Sequence, residues 1–180
     1  MAYWLFKSEP GTWSWQDQLA KADAGEGWDG VRNHQAGNNM KAMQVGDLGF
    51  FYHSVNEKRI VGIVDVIETW HLDPTDPTGR FGMVTVRAIK DMTKPVSLAE
   101  IKAEPRLAEL ALVRQSRLSV VPVSEEDWQL ILPGQQFGDP RADICLSVDN
   151  VIYRKTYRQF NRFIVCTGAQ LGGGKPAFCQ

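Results

Sequence analysis

The chain contains 180 residues and carries a formal net charge of −1, with 43% hydrophobic and 23% charged residues. This length and composition fit a globular protein of one domain, or of one domain with an appendage. A near-neutral chain has no general attraction for phosphates, which argues against a protein that grips a long phosphate track. A protein that holds a single nucleotide in a pocket needs no such charge.

The sequence shows no signal for secretion or for a membrane segment. No apolar run approaches the ~20 residues of a membrane span, and the first ten residues lack the basic-then-apolar layout of a signal peptide. The three cysteines, Cys145, Cys166 and Cys179, are odd in number and widely spaced, which argues against a disulfide framework. We therefore expect a cytoplasmic protein in a reducing compartment.

The chain begins with a predicted strand and a short helix. Residues 2–7 are rich in aromatic side chains and are followed by turn residues, which is typical of a buried strand. Ser14 and Asp17 have the spacing of a capping box. Trp15, Leu19 and Ala22 then predict the apolar face of an amphipathic helix.

A second helix and a hairpin follow. The spacing of apolar residues predicts a helix over residues 35–43, with Asn33 or His34 as its N-cap. Residues 48–54 and 59–67 read as two strands of an antiparallel hairpin, the second rich in β-branched residues.

The next segments continue the alternation of strands and helices. Proline and turn residues predict a loop over residues 73–79, and alternation predicts a strand over residues 81–89. Ser97 and Glu100 form a second capping box, which opens a short helix that Pro105 interrupts.

The last predicted strand covers residues 117–123, and Ser124 caps a closing helix that bears Trp128. We predict an α+β fold: a small β-barrel with helices inserted between its strands. The boundary of this domain is placed at residue 134. Residues 135–180 form an extension of unknown role, either a basic arm or an unstructured tail, in which residues 151–165 fit a strand or a helix.

Three short segments combine aromatic and polar residues at predicted strand ends or helix starts. They are residues 7–10, 28–33 and 51–54. In a small barrel such ends can converge on one mouth, where aromatic faces would stack on a planar ligand and polar groups would read its edge. The segments together predict a pocket for a nucleobase.

Each side chain in these segments also has a structural interpretation. Glu9 either accepts a hydrogen bond from an exocyclic amine or is a solvated carboxylate. Arg32 either meets a phosphate or forms a surface ion pair. Tyr52 and His53 fit core positions with satisfied hydrogen bonds, and Asp29 fits a brace for its loop better than a ligand contact.

Other site chemistries find little support in the sequence. His34, His53 and His71 lack the spacing of metal ligands, so we expect no metal. We find no Ser/His/Asp order, no phosphate-binding loop and no dinucleotide fingerprint, so we expect no cofactor and no catalytic residue.

With these residues in view, the chain resembles the EVE domain family of the PUA-like superfamily, which also includes the YTH and ASCH domains. The resemblance covers roughly residues 2–133. Its three main motifs are Tyr3-Trp4-Leu5-Phe6-Lys7-Ser8-Glu9-Pro10, Trp28-Asp29-Gly30-Val31-Arg32-Asn33 with Gln35-Ala36, and Phe50-Phe51-Tyr52-His53-Ser54.

The resemblance implies a PUA-like barrel whose pocket accepts a modified base, foremost a modified cytosine in DNA. A base in a duplex would have to be flipped out to enter it. The residues that the resemblance places around the ligand are Lys7, Ser8, Glu9, Trp28, Gly30, Val31, Arg32, Asn33, Tyr52, His53, Ser54 and Phe81. Two positions depart from the family pattern, His34 in place of Tyr and Phe81 in place of Trp, and these put the identity of the base in doubt.

Three functions follow from this sequence. The first is a non-catalytic module, expected to be a monomer, that binds nucleic acid carrying a modified base and acts through an unknown protein effector. The second is a small hydrolase of modified nucleosides, as in ASCH relatives, with Lys7 or Glu9 as acid or base. The third is a protein-interaction domain. The sequence does not separate DNA from RNA, nor one base modification from another.

Overall fold

The computed structural model describes residues 1–132 together with the backbone of residues 145–148 and 151–154. Residues 1–135 and 136–180 form two separate units. The first contains β1 (Tyr3–Ser8), α1 (Trp15–Ala20), β2 (Glu26–Gly27), α2 (His34–Ala42), β3 (Leu48–His53), β4 (Arg59–Leu72), β5 (Gly82–Ser97), α3 (Leu98–Ala103), α4 (Ala111–Arg114), β6 (Val120–Val123) and α5 (Glu125–Ile131), with 3₁₀ turns at Ala22–Ala24 and Pro105–Leu107.

In the second unit, β7 (Cys145–Val148) and β8 (Val151–Arg154) form an antiparallel pair. The start of the predicted segment 151–165 is therefore a strand, and its remainder lies outside the described residues, as does the rest of the predicted extension. No helix in the described residues is both long and apolar enough to cross a membrane.

The first unit is an α+β fold built on a six-stranded mixed sheet with the order β2-β5-β4-β3-β1-β6. The predicted hairpin of β3 and β4 is confirmed, and β4 pairs with β5 over a long antiparallel ladder with several bulges. β1 pairs with β3 in parallel, whereas the other strand pairs of this sheet are antiparallel. The sequence did not predict this parallel pair. The hydrogen-bonded order runs from β2 at one end to β6 at the other.

The predicted helix starts are confirmed. Ser14 and Ser97 both form complete capping boxes, Ser124 caps α5, and Asn33 rather than His34 caps α2 by accepting from the Ala36 backbone N–H. Each cap satisfies backbone donors that the first turn of a helix leaves free.

The predicted inner face of α1 was wrong at two of its three positions. The helix ends before Ala22, which is exposed. Leu19 is exposed, and Gln18 is fully buried in its place. Gln18 donates to the Val86 carbonyl at 2.9 Å and accepts from the Trp13 indole at 3.0 Å. Because both polar groups of this buried amide are hydrogen-bonded, its burial costs little. The expectation that the inner face of a helix is apolar therefore fails at this position.

Aromatic residues fill both faces of the sheet. On one face Trp28 meets Phe6 and Phe51 edge-on, with ring centroids 5.1 and 5.5 Å apart. On the other, Trp128 stacks on Phe50 at 3.9 Å. Because neighbouring residues of a strand face opposite sides, Phe50 and Phe51 serve the two layers separately. The last predicted strand is shorter than expected and begins at Val120.

Candidate functional site

A cavity of about 560 Å³ opens beside the end of β1 and the start of β6. This size lies in the range of small-molecule sites. Its lining combines two indole rings with charged and polar groups: Lys7, Ser8, Glu9, Thr12, Trp13, Glu26, Gly27, Trp28, Asp29, Gly30, Val31, Arg32, Asn33 and Ser119. Two of the three predicted segments, residues 7–9 and 28–33, therefore line one cavity.

The third segment, Tyr52 to Ser54, lies at the same end of the sheet but outside the lining. The parallel register of β1 and β3 aligns Ser8 with His53, so both strands end together. The Ser54 backbone N–H and hydroxyl both donate to the Ser8 carbonyl, at 2.7 and 2.9 Å. This segment, which the resemblance placed around the ligand, therefore supports the cavity wall instead of lining it.

His53 and Tyr52 are buried at 4% and 3% exposure. The Nε2 atom of His53 accepts from the Trp15 backbone N–H at 3.0 Å, which leaves Nδ1 to donate to Glu57 at 2.8 Å. The hydrogen bond from His53 lowers the pKa of Glu57. His53 thereby fixes the start of α1 through the Trp15 backbone. Burial raises the pKa of the Tyr52 hydroxyl.

The loop that carries Trp28 is fixed by backbone and aromatic contacts. The Trp28 N–H donates to the Val84 carbonyl at 2.8 Å. The side chain is 8% exposed, and its ring packs against Phe6 and Phe51. Trp28 therefore belongs to the core and to the cavity wall at once.

Asp73, which the sequence analysis did not select, positions the rest of this loop. Its Oδ2 atom accepts from the Gly30 N–H at 2.9 Å and from Arg32 Nη1 at 2.6 Å, while Thr75 donates to Oδ1. Burial alone raises the pKa of Asp73, but these hydrogen bonds outweigh it and set the pKa to about 2. Gly30 has a φ of +70°, a conformation that favours glycine.

Arg32 is held by this buried carboxylate and by Thr75, so it anchors one loop to another. Its guanidinium also lies 5.6 Å from the centroid of the Phe81 ring. Phe81 itself lines a separate small cleft and lies outside the cavity lining.

Acidic and basic groups share the cavity. Burial raises the pKa of Asp29, and the nearby charges of Asp73 and Glu26 raise it further. Burial lowers the pKa of Lys7 to about 8, although its Nζ donates to the Gln115 and Ser116 carbonyls at 3.2 Å. The lining can therefore both donate hydrogen bonds to a polar ligand and accept them.

Asn33 lies where the loop, the helix and the cavity meet. Its Oδ1 accepts from the Ala36 N–H at 3.1 Å, which leaves its Nδ2 group as the donor available to a ligand. The residues that sequence reasoning missed include Trp13, whose indole N–H is bonded to Gln18. A tryptophan directly before a helix N-cap was the available signal for it. Within the part of the chain that the structure describes, no group of three His, Cys, Asp or Glu side chains is arranged to hold a metal ion.

The sheet, the capped helices and the cavity define a known class of domain. The EVE domain family matches residues 2–133, and the chain belongs to this family. Thymocyte nuclear protein 1 of Rattus norvegicus is 32% identical in an alignment 162 positions long, which covers 72% of this chain and 72% of that protein. A protein of Rhodopseudomonas palustris solved by NMR is 54% identical, with a TM-score of 0.70 over 73% of this chain and 91% of that chain. Human THYN1, solved in complex with DNA containing 5-methylcytosine, is 30% identical, with a TM-score of 0.69 over 73% and 96%.

Proposed function

We propose that this chain is a non-catalytic nucleic-acid-binding module that holds a modified base, foremost a modified cytosine in DNA, in the cavity beside β1 and β6. The observation that carries the proposal is the lining itself. Two motif segments, residues 7–9 and 28–33, meet around a space of about 560 Å³ with indole rings and polar edges. Aromatic faces favour stacking with a base, and carboxylates accept from its exocyclic amine.

The relatives support the same ligand class. Human THYN1, which shares the fold at 30% identity, was solved with 5-methylcytosine-containing DNA. The proposal extends this ligand class to the present chain. His34 and Phe81 depart from the family pattern, but both line the separate small cleft and neither lines the cavity, so these departures give no argument about which modification the cavity accepts.

Several polar groups of the cavity lining are hydrogen-bonded to the protein itself, which favours binding over catalysis. The Ser8 hydroxyl donates to the Trp13 carbonyl at 2.6 Å, Arg32 is paired with Asp73, and the Asn33 side chain caps α2. Groups held by the scaffold are preorganised, which lowers the entropic cost of binding a ligand.

The test is binding to short oligonucleotides that differ by one modification, at a stated salt concentration, followed by tryptophan fluorescence. We expect DNA with one 5-methylcytosine to bind more tightly than its unmodified twin and to change the fluorescence of Trp13 or Trp28. Equal affinities for 5-methylcytosine, 5-hydroxymethylcytosine and cytosine would overturn the assignment to modified cytosine. A matched RNA series separates the two nucleic acids.

A hydrolase of modified nucleosides is the second candidate, and one observation favours it. Lys7 lines the cavity with a pKa of about 8, which suits a general base near neutral pH. Incubation with acylated and methylated nucleosides distinguishes the two functions. Product formation that is lost in Lys7→Met supports the hydrolase, and saturable binding without turnover supports the binding module.

A further inference from the structure

A second, smaller cleft lies between α2 and the start of β5. Residues spaced three and four apart along α2 form one wall, and the opposite wall comes from β4 and the segment entering β5. The lining residues are His34, Gly37, Asn38, Lys41, Trp70, Arg80, Phe81 and Gly82. A side chain at position 82 would lie 2.3 Å from the Trp70 ring. Glycine is therefore what lets that ring lie against the strand.

The cleft is rich in hydrogen-bond donors and contains no acidic residue. Lys41 Nζ lies 4.9 Å from the centroid of the Trp70 ring. Within the described residues, neither Lys41 nor Arg80 forms an ion pair. The Trp70 Nε1 atom, which can only donate, is buried without a partner there. Such a surface attracts an anion.

The carboxylate of Asp76 binds donors of its own loop rather than the side-chain cations of the cleft. Asp76 is buried at 9% exposure and accepts from the backbone N–H groups of Arg80 and Phe81, both at 2.8 Å. The backbone N–H and the hydroxyl of Thr78 both donate to its other oxygen. These four hydrogen bonds lower the pKa of Asp76 and leave it ionised but directed at its own loop, while Lys41 and Arg80 stay exposed to solvent.

The size of the cleft restricts the anion. Its volume of about 30 Å³ is close to the space of one water molecule. It therefore has no room for a base. A phosphate group that lies across the opening and points an oxygen inward fits both this size and the charge.

The cleft adjoins the cavity through Phe81. The Phe81 ring has Arg32, a cavity residue, on one side and His34, a cleft residue, at a centroid distance of 5.3 Å. Asn33 lines the cavity and its chain neighbour His34 lines the cleft. The cavity and the cleft are therefore neighbours on this domain, which is the arrangement that a single strand contacting both would need.

We infer that this cleft binds the phosphodiester backbone of the same strand whose modified base occupies the cavity. The inference rests on the proposed function. It assigns two separate tasks: the cavity selects the base, and the cleft binds the backbone without regard to sequence, as phosphate contacts do in general. His34, Lys41 and Arg80 are the binding residues it names.

Gly37 offers a sharp test because it lines the cleft and a Cβ added there meets nothing within 4 Å. Gly37→Glu and Gly37→Gln are matched in size, and both residues favour helix more than glycine does, so both variants should fold. They differ by one negative charge in the cleft. Lys102→Gln makes the same change in net charge on α3, whose residues line neither site.

The measurement is the affinity of each variant for short DNA with one 5-methylcytosine and for its unmodified twin, at low salt. We expect Gly37→Glu to bind both about tenfold more weakly than Gly37→Gln does, with the ratio between the two DNAs unchanged. Lys102→Gln should match the original chain.

Equal affinities of Gly37→Glu and Gly37→Gln would overturn the inference while leaving the proposed function intact. A loss confined to the methylated DNA would also overturn it, because the cleft would then take part in reading the base. If the original chain binds neither DNA, both the inference and the proposed function fail.

Discussion

At the scale of single residues, the two tryptophans of the cavity differ in how much of the fold depends on them. Trp28 is 8% exposed and contacts Phe6 and Phe51. Trp13 is half-buried and is held at its indole N–H by Gln18. Trp28→Ala would open a core cavity and cost ~3–5 kcal/mol of stability, so loss of binding in that variant would not report on stacking.

Trp13 is therefore the position at which stacking can be tested. We expect Trp13→Ala to lose ~1–3 kcal/mol of binding free energy, the value of one base–aromatic contact. Both Trp13→Ala and Trp13→Phe remove the indole donor to the buried Gln18, at a cost of about 1–3 kcal/mol of stability, so the difference in affinity between them reports on stacking. Trp13→Phe should recover part of the affinity. Affinity and thermal unfolding measured on both variants check this, and a folded Trp13→Ala with unchanged affinity would remove Trp13 from the site.

Lys7 gives the site a pH dependence whose sign is defined. Its pKa in the folded chain is about 8, below the ordinary value of 10.5. If its ammonium group donates to the ligand, affinity falls as the pH rises through about 8. Its contribution to stability changes the opposite way and grows between about pH 8 and 10.5, because the unfolded chain holds the proton longer.

Affinity for 5-methylcytosine-containing DNA, measured from pH 6.5 to 9.5, checks the Lys7 prediction. Lys7→Met should bind more weakly at neutral pH and should lose the fall in affinity near pH 8. A fall of the same size in Lys7→Met would show that another group titrates.

At the scale of elements, the cavity depends on two loops that Asp73 holds together. The 28–33 loop is held at its two ends by the bond of Trp28 to Val84 and by the Asn33 cap of α2, and between these ends Gly30 and Arg32 donate to Asp73. The Asp73 side chain is fully buried and that of Arg32 is 39% exposed. Solvent screens the outer partner, which reduces the energy of the pair.

We expect Asp73→Asn to cost about 1–3 kcal/mol of stability at pH 7 and to weaken ligand binding as well. The folded pKa of Asp73 is about 2, below the ordinary 3.8. Its contribution is therefore complete above about pH 4 and is lost as the pH falls toward 2. Urea unfolding at pH 7 and near pH 3 should show a smaller acid-induced loss in Asp73→Asn than in the original chain.

Glu100→Gln is the control for this prediction. Glu100 belongs to the capping box of α3, and hydrogen bonds from Ser97 lower its pKa to about 2. Its loss should reduce stability and acid sensitivity without changing ligand affinity. If Asp73→Asn likewise leaves affinity unchanged, the loop does not need this brace.

The same contrast explains what the sequence could predict. Ser14 and Asp17 lie three positions apart, so their capping box can be predicted from a short local pattern in the sequence. Asp73 and Gly30 are 43 positions apart, and no local pattern links them. The parallel pairing of β1 with β3 is a long-range contact of the same kind. Trp28 and Lys7 were predicted as site residues from the family motifs, whereas Trp13 required the fold.

At the scale of the whole molecule, the chain has a net charge of −1, and its two candidate sites differ in charge. The cavity contains charges of both signs, and the cleft contains only cations. Glu9, Glu26 and Asp29 line the cavity beside Lys7 and Arg32. The cleft carries cations without a carboxylate. For the proposed function we therefore expect the affinity for nucleic acid to come from few phosphate contacts together with the bound base, and not from general attraction.

This division predicts a weak dependence on salt. With about two or three phosphates contacted, the slope of log K against log salt for single-stranded DNA should be about −1.5 to −2. Lys41→Gln and Arg80→Gln should each reduce the magnitude of the slope by up to about 0.7, while keeping the preference for 5-methylcytosine over cytosine. Titrations at several salt concentrations measure both quantities. The slope depends on how many Lys and Arg side chains contact phosphates, because each such contact releases counterions from the nucleic acid. A steep slope that neither variant changes would therefore place the phosphate contacts elsewhere on the molecule.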